Sequence, residues 1–351
     1  MELDDYWQLL RIRSGVFEKY FTGSSVSESL SSGFENSVEN RLYFSDALRL
    51  YLEVKHKDKP PQVHQYSKRA FKYLKRSIGD KALTDIGRSD ANTLRDYLID
   101  RDLAGSSVDR IFSTLSAVFN YACLEYDLVF RNPFQNVLFD KKKGTKTRAS
   151  IPLVTIKYIQ DRCVSVDDER RWLVALIADS GMRLGEAAGL LCSDIKLAAQ
   201  IPHISLQPYH WRPLKTKASQ REIPLVGSSL WAAQRVLNET KGSNFAFPSY
   251  NKSVLTNSNS ASAALNKWLK AETQSSYTIQ GFRHALRDRL RAVECPKDIA
   301  DQIGGWSTKT VGESYGEGYK LDLLFKWMKK FDSFSKPQSV FSRAANNHQA
   351  P

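Results

Sequence analysis

Four residues in the C-terminal part of the chain have types and spacings that suit the transfer of a phosphate group. His284 and Arg287 lie three residues apart in a helical pattern, and Trp306 and Tyr315 follow them. Arginine is permanently charged and can donate two hydrogen bonds to one phosphate group. A tyrosine hydroxyl can attack phosphorus when a base and positive charge assist it. Each residue also has an ordinary explanation in packing or solvation, so the four together define only a candidate site.

Two further candidate groups lie earlier in the chain. Arg183 and Glu186 are three residues apart in the segment MRLGEAAGLLCSDI, and Lys215 and Lys217 lie in the polar stretch RPLKTKASQ. An isolated pair such as Arg183 and Glu186 is usually a surface ion pair on a helix. A lysine in a turn is usually solvated. These residues can take part in the same chemistry only if the fold places them beside the four C-terminal candidate residues.

Hydrophobic periodicity predicts that an all-α domain over residues 45–140 precedes the candidate site. Its strongest helical patterns cover residues 64–78 and 108–125, where apolar side chains recur on one stripe. Either Ser45 or Asp46 stands where it can cap the start of one helix, and Asp90 stands where it can cap another. No strand pattern of comparable strength occurs in this part of the chain.

The candidate residues themselves fall in a second domain, predicted over residues 151–331. An apolar helix over 168–179 is predicted to end at Gly181, and apolar and polar residues alternate over 203–206 and 221–225. We therefore expect helices around a small antiparallel sheet of two or three strands. The predicted fold class is mainly α with two domains, an all-α domain and a mixed α/β domain.

The remaining segments are predicted to connect or extend these domains. Residues 1–44 form an N-terminal extension with a flexible Ser/Gly-rich part, and residues 141–150 form a basic linker. An amphipathic helix is predicted over 319–331, with either intramolecular packing or contact with another protomer as its role. Residues 332–351 have the composition of a disordered tail.

The charge balance favours a polyanionic partner. The chain has 51 Lys and Arg against 38 Asp and Glu, a net charge of +13, and cationic faces recur on successive helices of the first domain. Charged helix faces are usually just solvated, but this repetition favours contact with DNA. The tentative DNA-binding residues are Lys68, Lys72, Arg110, Lys141, Lys142, Lys143 and Lys146.

Several classes of protein and cofactor are disfavoured. No secretory signal or membrane-spanning apolar run is visible, so we expect a cytoplasmic protein without a membrane partner. Consecutive acids at residues 167–169 read as helix-capping groups and not as metal ligands. We expect no metal, no cofactor and no ATP, since a phosphate-binding glycine loop is also lacking. The four scattered cysteines read as reduced thiols.

The candidate residues, taken in order, resemble one family. The segments SGMRLGEAAGLLCSDI, LKTKASQREIPL, FRHALRDRL and IGGWSTKTVGESYG are similar to the catalytic domain of the tyrosine recombinases, the phage integrase family. The similarity is strong over residues 150–320 and weaker over 45–140, which resembles the family's core-binding domain. The residues that match the family's catalytic set are Arg183, Lys215, His284, Arg287, Trp306 and Tyr315. Glu186 matches the acid that supports the first arginine.

The resemblance implies roles for these residues. Tyr315 would attack the phosphorus and form a 3′-phosphotyrosyl bond, and His284 would take up a proton. Lys215, with Lys217 as a competitor, would protonate the leaving 5′ oxygen. Two departures from the family pattern stand out: tryptophan replaces the commoner histidine at 306, and the interval from Arg287 to Trp306 is a few residues shorter than usual.

The implied function is site-specific DNA recombination, with integration of a phage or other mobile element as the favoured role. The alternatives are a recombinase that resolves chromosome or plasmid dimers and, in a different class, a non-catalytic DNA-binding architectural protein. A relaxing topoisomerase is a further alternative, disfavoured by the separate helical domain.

The expected partners follow from the same resemblance. They are double-stranded DNA with specific sites, and three further copies of the chain in a homo-tetramer joined through the C-terminal helix. The free protein would be a monomer, and accessory DNA-bending or directionality factors would join it on DNA. The expected location is the bacterial cytoplasm, at the nucleoid, with either a bacterial or a phage gene as its source.

Overall fold

The computed structural model describes residues 41–57, 61–144, 150–240, 242–306 and 318–335. The chain divides into two compact units, residues 1–145 and 146–351. Tyr315, Lys146 and most of the predicted N-terminal extension and C-terminal tail lie outside the described residues. Among the described helices, none is long and apolar enough to cross a membrane.

The first unit is all helical in its described part. It contains α1 (Phe44–Leu50), extended by a π-helical turn at Tyr51–Lys55, α2 (Pro61–Ile78), α3 (Arg88–Asp100) and α4 (Gly105–Glu125). The apolar stripes of these helices meet in one core, whose largest fully buried side chains are Phe44, Leu74, Leu94, Leu98, Leu115 and Phe119.

The predicted capping acids act from inside the helices. Asp46 and Asp90 are the third residues of α1 and α3, and their carboxylates accept from the backbone N–H groups of Tyr43 and Gly87, at 3.2 and 3.0 Å. A carboxylate in the first turn satisfies one of the N–H groups that a helix start leaves unpaired. Both helices therefore begin three residues earlier than capping by these acids predicts.

Two predicted connecting segments extend into the folded unit. Phe44, assigned to the N-terminal extension, is fully buried. The backbone carbonyl of Lys143, a residue assigned to the linker, accepts from the backbone N–H of Gly105 at 2.8 Å. That N–H opens α4 and has no partner within its helix, so residues 141–144 fold against it.

The second unit is built around one buried helix. It contains α5 (Leu153–Val166), α6 (Glu169–Ser180), α7 (Leu184–Ala188), β1 (Ile195–Lys196), β2 (His203–Leu206), β3 (Arg221–Pro224), α8 (Gly227–Glu239), α9 (Ser258–Thr273), α10 (Ile279–Ala292), α11 (Lys297–Gly304) and α12 (Leu321–Ser335). Every residue of α6 from Trp172 to Ser180 is buried. As predicted, α6 ends at Gly181, which adopts the left-handed conformation with φ of 62°.

The sheet has three antiparallel strands in the order β1-β2-β3. Ile204 of β2 faces Ile195 on one side and Ile223 on the other. This register keeps the isoleucines on the buried face of the sheet. The polar turn connects the end of β2 to the start of β3. The predicted fold class, mainly helical with a small antiparallel sheet, is confirmed.

The C-terminal helix α12 packs within its own unit. Leu324 and Met328 are buried against residues of α10 and α11, including Leu290 and Ile303. The helix also runs past the predicted end at residue 331 to Ser335. Asp332, predicted to belong to the disordered tail, therefore lies within this helix.

Candidate functional site

The site begins at Arg183, which is the residue that precedes the first turn of α7. Its backbone N–H donates to Glu186 Oε2 at 3.0 Å, and its Nη1 donates to Glu186 Oε1 at 2.5 Å. The predicted pair therefore exists, but it is not a surface pair: the Glu186 side chain is 5% exposed and that of Arg183 is 24% exposed. Part of the Arg183 guanidinium remains open to a ligand.

A second, buried arginine shares the same carboxylate. Arg221 of β3 donates from Nη2 to Glu186 Oε2 at 3.3 Å, and its other nitrogens donate to the carbonyls of Ser219 and Ile303 at 2.7 and 2.9 Å. Burial alone would raise the pKa of Glu186, but Arg221 and Arg183 outweigh burial and hold that pKa below its ordinary value. Glu186 is therefore a buried anion between two guanidinium groups.

A third arginine lies on α10. Arg283 donates from Nη1 to the carbonyl of Gly181 at 2.7 Å and from Nη2 to the carbonyl of Gly305 at 3.4 Å. Arg183 Nη2 donates to the same Gly305 carbonyl at 3.3 Å, so the two side chains meet there. Burial, followed by the charges of Arg183 and Arg221, lowers the pKa of Arg283 to about 9. The group is still charged at neutral pH, but its charge is poorly compensated.

Arg287 lies one turn further along α10 and has a different environment. Its Nη2 donates to Asp301 Oδ1 at 2.9 Å, and its side chain is 30% exposed. The ring of Trp306 contacts the guanidinium groups of both Arg283 and Arg287, each 4.7 Å from the ring centroid. Cation–π contact holds the tryptophan in place between the two arginines. Trp306 is thus brought to the predicted site.

His284 and the two candidate lysines are exposed. His284 lies on α10 with its side chain in solvent, and within the described residues it has no hydrogen bond. Lys215 and Lys217 are both exposed on the turn between β2 and β3. The end of that turn is joined to the site, because Ser219 Oγ accepts from Arg183 Nη1 at 2.8 Å. The exposed lysines are therefore tethered to the arginine cluster through the backbone of their own turn.

The cluster is short of negative charge. Among the described residues, Arg183 and Arg221 pair with the carboxylate of Glu186, and Arg287 pairs with that of Asp301. Arg283 donates to backbone carbonyls and to no carboxylate of the described chain. Asp301 is also shared with Lys297, at 3.1 Å. A cationic cluster of this kind, partly open at Arg183 and Arg287, has the charge and the hydrogen-bond donors that bind an anion.

Tyr315 lies between two anchored points of the chain. The backbone N–H of Trp306 donates to the Asp301 carbonyl at 2.9 Å. On the other side, Gln302 bonds both the N–H and the carbonyl of Tyr319, each at 2.8 Å. Both anchors are on α11, whose last turn borders the arginine cluster.

Three residues of this cluster, Arg221, Arg283 and Asp301, are not among the residues predicted from the sequence. A signal for Arg283 was available. The interval from Arg287 to Trp306 is shorter than usual in the resembled family. If Arg283, one helical turn earlier, is matched to the family's second arginine instead of Arg287, the interval becomes four residues longer. An HxxR motif in that register has Gln280 in place of histidine. Arg221 and Asp301 carry no comparable local signal.

The tentative DNA-binding residues of the first unit are spread over several features. Lys68 and Lys72 are exposed on α2 and line a cavity of about 390 Å³ with Arg69, Tyr73, Arg76 and Arg101. No carboxylate lines it. Arg110 is exposed on α4, and Lys142 and Lys143 are exposed in the turn that follows residue 140. Lys141 is already paired with Asp109, at 2.6 Å.

Comparison with known proteins agrees with this geometry. Residues 155–319 match the phage integrase family. Tyrosine recombinase XerC of Pediococcus pentosaceus is 29% identical over 136 residues, which make up 37% of this chain and 44% of that protein. The transposase from transposon Tn916 of Enterococcus faecalis is 23% identical over 212 residues, or 54% of this chain and 50% of that protein. The matches thus span half or less of the length of these curated relatives.

Solved structures share the fold across both units. The Tn1549 transposon integrase, in complex with transposon right end DNA, matches with a TM-score of 0.60 at 18% identity and covers 81% of this chain and 98% of that chain. A lambda integrase tetramer bound to a Holliday junction matches with a TM-score of 0.60 at 16% identity and 89% coverage of each chain. Residues 155–319 belong to the phage integrase family, the tyrosine recombinases, as the sequence motifs predict.

Proposed function

We propose that this protein is a site-specific DNA recombinase that cleaves and rejoins DNA through a 3′-phosphotyrosyl intermediate. The observation that carries the proposal is the arginine cluster around Gly305, in which three of four guanidinium groups contact two carboxylates and the fourth, that of Arg283, contacts none in the described chain. A phosphodiester supplies the missing negative charge. The charge that develops on its non-bridging oxygens during cleavage strengthens these contacts in the transition state.

In the proposed reaction, the hydroxyl oxygen of Tyr315 attacks the phosphorus while the bond from phosphorus to the 5′ oxygen breaks. His284 takes the phenol proton, and the ammonium group of Lys215 gives a proton to the leaving 5′ oxygen. The new phosphotyrosyl bond conserves the energy of the cleaved linkage. A 5′ hydroxyl from a partner duplex then attacks the phosphotyrosine, rejoins the strands and frees Tyr315.

The phosphate is gripped by Arg183 and a second arginine from α10. Arg287 fits the predicted motif and is partly exposed, whereas Arg283 meets Arg183 at the Gly305 carbonyl. Both are therefore assigned to the anion site, and Trp306 holds their relative position. Glu186 supports Arg183 from the buried side and does not contact DNA.

The first unit is proposed to bind duplex DNA through its cationic helix face. Lys68, Lys72 and Arg76 follow one another at four-residue intervals on α2, so they lie on one side of the helix. Within the described part of the chain none of them forms an ion pair. Unpaired cations on a concave surface without acids favour contact with phosphates, and Arg110 adds a further cation on α4.

The biological role is proposed to be integration or excision of a mobile element. The Tn916 transposase similarity and the fold of the transposon and lambda integrases favour this role over dimer resolution, for which the XerC similarity is the support. On DNA we propose a homo-tetramer in which α12 contacts a neighbouring copy, in the cytoplasm at the nucleoid. In the single chain the apolar face of α12 is covered by its own unit, which suits a monomer in solution.

The test is covalent capture on a nicked duplex taken from the junctions that flank the gene's own element. The full-length protein is expected to give a protein–DNA adduct on a denaturing gel, and Tyr315→Phe is expected to abolish it. Tyr319→Phe is the matched control, because the contacts of Tyr319 with Gln302 are made by its backbone and survive the change. Binding of the duplex without an adduct in the wild type would refute the enzyme and favour the architectural alternative.

A further inference from the structure

Ser219 ties together two parts of the site that the sequence places far apart. Its side chain is fully buried, and its Oγ accepts from Arg183 Nη1 at 2.8 Å. The same Oγ lies 3.0 Å from the hydroxyl of Thr216, the neighbour of Lys215. A serine that accepts from a guanidinium keeps its own proton free to donate, so both hydrogen bonds form together.

The backbone of Ser219 is held as firmly as its side chain. Its carbonyl accepts from Arg221 Nη1 at 2.7 Å, while Arg221 also bonds the Ile303 carbonyl and Glu186. The short helical turn Lys217–Ser219 is therefore joined to β3, to α11 and, through Glu186, to α7. Because its side chain is 3% exposed, Arg221 acts as an internal support and not as a ligand for DNA.

We propose that Ser219 is a positioning residue that couples Arg183 to the turn carrying Lys215, so that the arginine grip on the phosphate also sets the place of the general acid. The inference rests on the proposed function, specifically on Lys215 as proton donor. Lys215 is exposed and its four-carbon side chain is flexible, so its backbone is the part that the fold can fix. Proton transfer requires the ammonium within hydrogen-bond reach of the leaving oxygen.

The coupling fixes the position of a bound phosphate relative to the turn that carries Lys215. Arg183 has hydrogen bonds to Glu186 and to Ser219, and its Nη2 also reaches the Gly305 carbonyl. A phosphate bound by Arg183 is thus fixed relative to the turn from Thr216 to Ser219. Loss of the Ser219 hydroxyl breaks the link between Arg183 and the turn that carries Lys215. Arg183 still binds the phosphate, but the general acid Lys215 is displaced from the leaving oxygen.

The test compares two leaving groups in single-turnover cleavage by the full-length protein. In a substrate whose 5′-bridging oxygen is replaced by sulfur, the thiolate leaves without a proton because a thiol is a much stronger acid than an alcohol. Ser219→Ala is expected to cleave the oxygen substrate about 10²-fold more slowly, at the low end of what general acid catalysis contributes. On the sulfur substrate it is expected to approach the wild-type rate, as Lys215→Met does.

Matched variants separate positioning from a general effect on folding. Ser229→Ala removes another fully buried serine hydroxyl of the same unit, one that bonds only the backbone of Val226, and is expected to leave both rates unchanged. Thr216→Val removes the other half of the link and is expected to slow the oxygen substrate in the same way. Affinity for the duplex is expected to stay within twofold in Ser219→Ala.

Three outcomes overturn the inference. An unchanged rate of Ser219→Ala on the oxygen substrate shows that the link is dispensable. Equal losses on both substrates show that the serine supports the phosphate grip or the fold instead of the acid. If sulfur fails to restore Lys215→Met, the assignment of the general acid in the proposed function is itself wrong, and the inference falls with it. The rate of Lys215→Met on the sulfur substrate is measured with Ser219 intact, so it tests the proposed function separately from the inference.

Discussion

Removing the charge of Glu186 should destabilise the second unit strongly. Its carboxylate accepts from Arg183 Nη1 at 2.5 Å and from Arg221 Nη2 at 3.3 Å, with 5% of the side chain exposed. Glu186→Gln keeps the shape but leaves the buried guanidinium of Arg221 and the partly exposed one of Arg183 without their anion. Breaking one side of a buried ion pair costs about 3–5 kcal/mol. For a unit of this size that corresponds to a fall in Tm of roughly 6–20 °C.

The pH dependence gives the prediction a second, independent part. The pKa of Glu186 in the folded chain lies below its ordinary value of 4.5, so its stabilisation is complete above that value and is lost as pH falls through the lowered pKa. The difference in stability between wild type and Glu186→Gln should therefore be constant from about pH 5 to pH 8 and shrink in more acidic solution.

Scanning calorimetry of the full chain measures both parts, with the transition of the second unit followed separately. Glu222→Gln is the control, since that side chain lies on the same strand as Arg221 but is 52% exposed. The control is expected to change stability by no more than about 0.5 kcal/mol. A loss in Glu186→Gln as small as that of the control, or a difference that persists unchanged in acid, would refute the account of Glu186 as a buried anion between two arginines.

Three other predictions concern the arginines of α10, the cationic face of α2 and the glycine that ends α6. If Arg283 is the second phosphate ligand, Arg283→Lys should lower the single-turnover cleavage rate by about 10²–10³-fold, and Arg287→Lys should lower it by less. A larger loss in Arg287→Lys would show that Arg287, the arginine of the predicted motif, is the ligand. Lys72→Glu should weaken binding of all duplexes and reduce the salt dependence of affinity, measured by titration at several salt concentrations; unchanged salt dependence would remove α2 from the DNA interface. Gly181→Ala should lower stability by about 1–3 kcal/mol in urea denaturation, because φ is +62° there and an added Cβ would overlap a leucine of α10; stability equal to wild type would contradict this.

Local patterns in the sequence accounted for the family, the fold class and most of the helices. The end of α6 at Gly181 and the strand at residues 203–206 were predictable because a left-handed glycine and a two-residue alternation depend only on neighbouring residues. The order of Arg183, Lys215, Trp306 and Tyr315 was equally visible, and the family match confirms the membership that it implied. Their roles remain proposals.

Tertiary structure alone decided which charges are buried and what they support. Among 51 basic residues, nothing local marks Arg221 or Arg283 as buried. Arg221 reaches a carbonyl 82 residues away, and Arg183 meets Gly305 across 122 residues. Contacts over such separations depend on how whole elements pack, so no helical or strand period encodes them. The sequence thus determined which groups the chain has for the chemistry, and the packing of β3 and α10 around Gly305 decided which of them meet.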